Sequence, residues 1–188
     1  MIQRCAWVPK ENKLYEQYHD TEWGRPVHDD QVLFEFLILE GAQAGLSWET
    51  VLRKRDEYRT VFHGFAIQKV AAMSEKEIQI ALQNPGIIRN KLKVSSAVKN
   101  ARAVLEIQNE FSSFYNYLLT MLPDAPLQNH FTSLSEIPSQ TPASKKLSKD
   151  LKKRGCNFVG PTIMYAFMQA VGLVSDHTTD CFCYQPKT

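Results

Sequence analysis

The sequence predicts a mainly helical protein, and three observations support that class. Apolar residues recur at helical spacing along most of the 188 residues, capping residues precede several of these segments, and strand signals are scarce. The hydrophobic fraction of 44% is enough for one buried core in a chain of this length. We therefore expect one folded unit over residues 1–188, divided into at most two lobes.

The first predicted helix runs over residues 30–41, with Asp29 or Asp30 as its N-cap and Gly41 at its end. Ser47 caps the next predicted helix, which is expected to reach residue 60. The small residues between the two helices leave room for another backbone or a ligand to approach closely.

Further along the chain, Ser74 is the expected N-cap between two short helical pieces, and residues 86–91 form a turn before helical spacing resumes. Residues 122–144 contain four prolines and are expected to form a connecting stretch. Thr141 and the proline after it predict the start of another helix. The last predicted helix is apolar, is led by a Gly-Pro turn and covers residues 158–174.

The charge balance argues against a strongly basic chain that binds nucleic acid non-specifically, because 22 basic and 20 acidic residues give a net charge of +2. Local basic clusters could still contact phosphates. The N-terminal MIQRCAWVPKENK lacks the apolar stretch of a secretion signal, and the most apolar run, VLFEFLIL, is too short to span a membrane. We therefore expect a soluble cytoplasmic protein with no membrane contact. In that compartment its four cysteines are thiols or metal ligands rather than disulfides.

Cysteine and histidine occur together near both ends of the chain. His177 and Cys181 lie four residues apart, and Cys5 and His19 supply the same ligand types at the other end. Two cysteines and two histidines suit tetrahedral zinc, which would join the two ends. Neither pair matches a zinc-finger spacing closely, so free thiols and surface histidines are the alternative.

Aromatic residues are concentrated near the N-terminus. All three tryptophans, Trp7, Trp23 and Trp48, lie in the first 48 residues together with Tyr15 and Tyr18. Such a cluster is more often part of a hydrophobic core. The competing interpretation is a slot in which a planar ligand stacks.

Glu40 ends an apolar segment, where a carboxylate meets the unfavourable negative pole of the helix dipole. An exposed Glu at a helix end would explain this position. The functional interpretation is an acid held in a slot for a cationic or hydrogen-bonding partner.

A basic run precedes the stretch GCNFVGPT and consists of Lys145, Lys146, Lys149, Lys152, Lys153 and Arg154. Such a run is usually a solvated helix face. Here it leads into a glycine-containing hairpin and a helix start, whose amides can hold a phosphate. The turn with Arg89 and Lys91 offers a second basic loop, and the two together favour nucleic acid.

Several stretches together resemble the 3-methyladenine DNA glycosylase I family, which belongs to the helix-hairpin-helix superfamily of DNA glycosylases. The resemblance runs from Cys5 to Tyr184 and rests on RCAWV, YHDTEWG, LEGAQAGLSW, GIIRNK, LSKDLKKRGCNFVGPTIMYAFMQAVGLV and DHTTDC. It implies a helix-hairpin-helix fold and a monofunctional DNA-repair enzyme. That enzyme would flip 3-methyladenine out of alkylated double-stranded DNA and hydrolyse its N-glycosidic bond, leaving an abasic site.

The resemblance also implies one structural zinc per chain, and it assigns the ligands. These are Cys5, His19, His177 and Cys181. Four protein ligands close the site, so the metal is not catalytic, and Cys183 is spare. The terminal segments 1–25 and 172–188 would then pack together in a protein that is expected to be a monomer.

The implied base pocket lies between the lobes and has Glu40 as its catalytic residue. The base-binding residues would be Trp7, Tyr18 and Trp48, with Tyr15 and Trp23 nearby. The implied DNA contacts are the hairpin with Gly155 and Gly160, the basic loop with Arg89 and Lys91, and an apolar wedge at Gly45 and Leu46.

Three positions depart from patterns in the superfamily. Thr162 stands where bifunctional members have the lysine that forms a Schiff base, so no lyase step is expected. Asp176 lies near the usual catalytic aspartate, but it directly precedes the implied ligand His177, so we assign it no catalytic role. Ala42 stands where some relatives are expected to have glutamine.

Two other function classes are compatible with parts of the pattern. A zinc-stabilised, helical nucleic-acid-binding protein without catalysis would leave Glu40 and the tryptophans as packing residues. A metallohydrolase would need an open metal position, which a complete set of four protein ligands does not leave.

Overall fold

The computed structural model describes residues 2–185. The predicted terminal segments 1–25 and 172–188 also include residue 1 and residues 186–188, which lie outside the described residues. In chain order the elements of the described residues are α1 (Lys13–Thr21), α2 (Asp30–Gln43), α3 (Trp48–Val61), α4 (Ile67–Ala71), α5 (Glu75–Gln83), α6 (Lys91–Phe111), α7 (Phe114–Met121), β1 (Leu127–Gln128), α8 (Pro142–Lys153), α9 (Pro161–Ala170) and β2 (Val174–Ser175). Short 3-10 turns occur at His63–Phe65 and Leu134–Glu136. The predicted mainly helical class is confirmed.

The helix starts follow the capping residues that the sequence predicts. Asp29, Ser47, Ser74 and Thr141 each accept a hydrogen bond from the backbone amide three residues further on. At Ser74 and Thr141 the residue three positions later returns the bond, which completes a capping box. These local contacts fix where α2, α3, α5 and α8 begin.

Two predicted helix ends are wrong. Gly41 does not end α2, which continues to Gln43. The glycine allows close packing instead, because a Cβ there would lie 3.1 Å from the Phe158 Cβ and 3.2 Å from the Phe158 carbonyl oxygen, both tight contacts. The last helix stops at Ala170, and Gly172 turns the chain with a φ of +70°.

Two helices and a strand pair carried no clear sequence signal. Asn12 caps α1 and Ser113 caps α7. β1 lies inside the proline-rich stretch and pairs in parallel with β2, so that Leu127 stands opposite Val174. This short ladder holds the connecting stretch against the segment that leads to His177.

The second helix, α2, is the centre of the core. All ten of its residues from Leu33 to Ala42 are buried, and the helix packs against α3, α6, α7 and α9. Burial on every side explains its nearly continuous apolar sequence. Within residues 2–185, none of the helices is long and apolar enough to cross a membrane.

Candidate functional site

A cavity of about 290 Å³ opens beside the last turn of α2. Its lining includes all six residues that the sequence predicts for a base pocket: Trp7, Tyr15, Tyr18, Trp23, Glu40 and Trp48. The predicted aromatic cluster is therefore both part of the core and the wall of a cavity.

The aromatic residues come from three parts of the chain. Tyr15 and Tyr18 are three residues apart on α1 and so share one helix face. Trp48 is the first residue of α3, and its ring centroid lies 5.3 Å from that of Tyr18. Trp7 lies edge-on to Trp23 at 4.9 Å. The resulting slot has flat, polarisable walls suited to a planar ligand.

Glu40 is the acidic group of this cavity. Its side chain is only 4% exposed, and burial alone raises the pKa of its carboxyl to about 8. The buried guanidinium of Arg55 pairs with Glu35 and Glu22 instead, each at 2.6 Å. Among residues 2–185, no ion pair reaches Glu40. An uncompensated buried carboxyl beside aromatic walls is a candidate receptor for a cation.

Two indole N–H groups in the cavity wall are also without a partner. The Nε1 atoms of Trp7 and Trp48 are buried, and neither finds a hydrogen-bond acceptor among the described residues. A buried donor left unpaired costs stability, so both N–H groups are candidates to donate to a bound ligand or a water molecule. Burial also raises the pKa of Tyr18 well above its usual value, and the Glu40 charge adds to this effect.

The rest of the cavity wall was not predicted. Gln43 lies one turn beyond Glu40 on α2, Ala166 and Gln169 lie on α9, and Leu134 and Ile137 come from the connecting stretch. Ala42, where a glutamine was expected, does not line the cavity, whereas Gln43 does. No local pattern marks these residues, because only the tertiary fold brings them to Glu40.

The predicted metal ligands lie together on the other side of the tryptophans. Ligand atoms of Cys5, His19, His177 and Cys181 all lie within 4.8 Å of one another, and all four residues are buried. The Cys181 Sγ is 3.4 Å from His19 Nε2, and the Cys5 Sγ is 3.5 Å from His177 Nδ1. Sulfur and nitrogen ligands of tetrahedral zinc are separated by about 3.6 Å, so the arrangement fits that ion.

Both histidines have a partner for the ring nitrogen that faces away from the cluster. His177 Nε2 lies 3.2 Å from the Trp23 carbonyl oxygen, which can only accept a hydrogen bond. His19 Nδ1 lies 2.8 Å from a carboxylate oxygen of Asp20, which Arg4 holds through two nitrogens. These partners leave the inward nitrogens with lone pairs available to a metal.

The two thiols influence each other's ionisation. The hydrogen bond between them lowers the pKa of Cys181 and raises that of Cys5, because one sulfur shares the proton of the other. A divalent metal would replace this proton and satisfy both sulfurs. Cys183, which the sequence predicts to be spare, is half-buried, and its amide donates to the Cys181 sulfur.

The cluster and the cavity share their tryptophans. Trp23 lies 4.7 Å from the His177 ring, and Trp7 lies 5.3 Å from the His19 ring, by their centroids. Fixing the four ligand residues therefore fixes one wall of the cavity.

Asp176 is fully buried beside this cluster. Its carboxylate accepts hydrogen bonds from Tyr165, Gln169 and Asn129, at 2.6 to 2.8 Å. Because three donors hold the carboxylate, the aspartate joins α9, β2 and the connecting stretch. This network includes Gln169 of the cavity wall.

The predicted DNA-contacting residues occupy neighbouring loops. Gly45 and Leu46 follow α2, and the Leu46 side chain is 41% exposed. Lys93 of α6 donates to the carbonyls of Ala42 and Ala44 and so ties this loop to the segment that carries Arg89 and Lys91. Arg89 and Lys91 are both exposed.

The turn between α8 and α9 lies against α2 and α6. The side chain of Asn100 on α6 both accepts from the Asn157 amide and donates to its carbonyl. Gly155 has a φ of +92°, and neither Gly155 nor Gly160 has any atom within 4 Å of an added Cβ. The backbone here is open to a ligand. Arg154, from the basic run, is instead engaged by Glu110 and Asp150.

The protein is helical and has an aromatic slot, a buried acid and an open glycine turn, features suited to a planar cation and a phosphate. Comparison with known proteins narrows this description. The family model described as methyladenine glycosylase matches residues 7–184. The chain is 49% identical to DNA-3-methyladenine glycosylase 1 of Escherichia coli (strain K12), with 97% of each chain covered.

Two further relatives agree with this result. DNA-3-methyladenine glycosylase of Haemophilus influenzae is 47% identical, over 97% of this chain and 98% of that protein. A crystal structure of 3-methyladenine DNA glycosylase I superposes with a TM-score of 0.94 at 50% identity, covering 97% of this chain and 100% of that one. The chain therefore belongs to the methyladenine glycosylase family.

Proposed function

We propose that this protein removes 3-methyladenine from alkylated DNA by hydrolysing the bond between base and sugar, as the names of its relatives indicate for them. The observation that carries this proposal is the buried Glu40 carboxyl in an aromatic cavity, without a cationic partner among residues 2–185. Adenine methylated at N3 in DNA is planar and carries delocalised positive charge, which matches that site.

Recognition of the base would combine stacking with charge. Trp7, Tyr18 and Trp48 would enclose the ring, and stacking of a desolvated cation on such walls contributes about 2 kcal/mol. The Glu40 carboxylate would accept a hydrogen bond from the exocyclic amine. Normal adenine is neutral, so it offers no charge that would favour ionisation of a carboxyl with a pKa of about 8. Tyr15 and Trp23 would support the slot from behind.

The chemistry needs little activation, because the positive charge already weakens the bond to the sugar. The pocket would select the flipped nucleotide, exclude other bases and admit water to the sugar. As the bond breaks, the base becomes neutral, so tight binding of the cation also stabilises the ground state. We infer a catalyst of modest rate and high selectivity. Thr162 offers no amine for a Schiff base, so the reaction would end at the abasic site.

DNA would lie across the three neighbouring loops. Leu46, on the loop with Gly45, would fill the gap left by the flipped nucleotide. The turn with Gly155 and Gly160 would act as the hairpin of a helix-hairpin-helix unit, with its open backbone against a phosphate. Arg89 and Lys91 would contact the backbone electrostatically.

The four-residue cluster would hold one structural zinc. Its support is the fit of the ligand separations to tetrahedral geometry and the outward hydrogen bonds of both histidines. The metal would fix the two terminal segments against each other and brace Trp7 and Trp23. It would leave no coordination position for water and so would take no part in hydrolysis.

The chain would act as a monomer of one unit whose pocket lies between two lobes. The support is that residues 7–48 supply one side of the cavity and residues 134–169 the other, so a single chain completes the site.

The test is release of free bases from methylated duplex DNA, resolved by chromatography. Protein prepared with zinc should release 3-methyladenine, whereas normal purines and 7-methylguanine should stay in the DNA. The same sample reports DNA binding by gel retardation. Retardation without release of any base would contradict the proposal and favour a binding protein that does not catalyse.

A further inference from the structure

A single lysine from another helix, Lys93 of α6, contacts the loop that carries Leu46. The Lys93 ammonium donates to the Ala42 carbonyl at 2.8 Å and to the Ala44 carbonyl at 2.7 Å. These carbonyls belong to the C-terminal end of α2, where unpaired carbonyls carry partial negative charge. The last turn of α2 contains no basic residue of its own, so Lys93 supplies this charge from another helix.

Little else fixes the loop. Ala44 donates to the Gly41 carbonyl at a long 3.3 Å, and Leu46 donates to the Gln43 carbonyl at 2.7 Å. Gly45 has a φ of +76° and no atom within 4 Å of an added Cβ. Leu46 itself projects outward and is 41% exposed. The loop therefore has open surroundings on its outer side and Lys93 beneath it.

The support under Lys93 is rigid by comparison. Lys93 lies in the first turn of α6, whose N-cap Asn90 accepts from the Lys93 amide. The preceding turn is tied to α3, because Lys54 donates to the Pro85 carbonyl and Ile88 donates to the Tyr58 hydroxyl. Val94, the next residue of α6, is buried in the core. Lys93 thus links the loop to a fixed part of the molecule.

We propose that Lys93 is a positioning residue that holds the Leu46 loop in place while Leu46 displaces a stacked base. Lys93 is then needed to open duplex DNA and not to bind the base. This inference rests on the proposed glycosylase function. An apolar wedge can displace a stacked base only if its own backbone does not yield. In single-stranded DNA there is no paired stack to open, so the wedge and its support are dispensable.

The experiment compares one methylated strand tested alone and after annealing to its complement. For Lys93→Met we expect kcat/KM on the duplex to fall by about tenfold or more, with less than about a twofold change on the single strand. The loss should be in kcat, because flipping follows encounter. Lys91→Met is the control: loss of an exposed phosphate contact should raise KM on both substrates and leave kcat unchanged.

Two further measurements separate positioning from general damage. Lys93→Met should lower the melting temperature by only a few degrees, because two hydrogen bonds are lost at one loop. Binding of free 3-methyladenine, followed by tryptophan fluorescence, should match the unaltered protein. Lys93→Arg keeps a donor that reaches both carbonyls and should restore most duplex activity, which keeps the proposal testable if Lys93→Met folds poorly.

Equal losses on both substrates, no loss on the duplex, or failure of a well-folded Lys93→Arg to restore duplex activity would each overturn the role of Lys93. If the unaltered protein releases 3-methyladenine from neither substrate, the proposed function itself fails, and this inference fails with it.

Discussion

At the scale of single residues, the proposed base recognition depends on the Glu40 carboxyl and its burial. The sequence placed Glu40 at the end of an apolar helix, and an exposed side chain would have been ordinary there. The structure buries it in the last turn of α2, because the helix runs two residues beyond Gly41 and packs on all sides. The unusual property of Glu40, its pKa of about 8, arises from this tertiary burial and could not be read from neighbouring residues.

The raised pKa predicts a pH-dependent stability. In the unfolded chain Glu40 ionises near its ordinary pKa of 4.5, whereas in the folded protein it keeps its proton up to about pH 8. Its stabilising contribution is therefore fully present below pH 4.5 and is lost as the pH rises to about 8. Glu40→Gln removes this loss. Its free energy of unfolding relative to the unaltered protein should rise by at least ~2 kcal/mol from pH 5 to pH 8.

Denaturant titrations at the two pH values measure this difference. Glu106→Gln is the matched control, because Glu106 is exposed on α6 and the chemical substitution is the same. Its difference from the unaltered protein should be flat with pH. A flat difference for Glu40→Gln as well would show that Glu40 ionises normally in the folded protein.

At the scale of elements, the sequence predicts contacts between residues close in the chain, such as helix caps, but not packing between distant residues. The caps Ser47, Ser74 and Thr141 act within three residues, so the sequence predicts them correctly. Gly41 was misinterpreted because its purpose is close contact with Phe158, more than a hundred residues away. The two-residue strands are too short for any periodicity. Leu134 and Ile137 lie in a proline-rich stretch and gave no sign that they line the cavity.

The turn between α8 and α9 allows a test of the proposed DNA contact. Gly160 has an ordinary φ of −61° and nothing within 4 Å of an added Cβ, so Gly160→Ala should leave the melting temperature within about 2 °C. If its backbone meets a phosphate, the added methyl should weaken DNA binding by about fivefold or more.

Gel retardation with duplex DNA and binding of the free base, measured side by side, test this. Binding of the free base should not change, because the cavity lies elsewhere. Unchanged DNA affinity for the folded variant would mean that this turn does not contact DNA.

At the scale of the whole molecule, residues 5–19 and 177–181 meet at the cysteine and histidine cluster. The sequence supplied the ligand types, and the resemblance supplied the pairing of Cys5 and His19 with His177 and Cys181. Spacing alone could not predict this pairing, because more than 150 residues separate the first pair of ligands from the second. The structure adds that the cluster abuts the cavity through Trp7 and Trp23.

Two cysteines two residues apart make a matched test of the zinc. Cys181→Ser should lower zinc content from about one per chain to below about a tenth and reduce the melting temperature by roughly 10 °C or more, because a structural metal contributes directly to folding. Cys183→Ser should keep both values. Metal analysis and thermal unfolding of the two variants give the answer. Less than a tenth of an equivalent in carefully prepared unaltered protein would contradict the zinc assignment.

We propose that Glu40 selects a cationic base, and base release by Glu40→Gln tests this role. Equal amounts of this variant, Glu106→Gln and the unaltered protein would act on the same methylated duplex, with free bases resolved by chromatography. The amide keeps the shape of the side chain and loses its charge, so release of 3-methyladenine should fall by about a hundredfold or more. Glu106→Gln should match the unaltered protein. Undiminished release of 3-methyladenine by a folded Glu40→Gln would contradict the account.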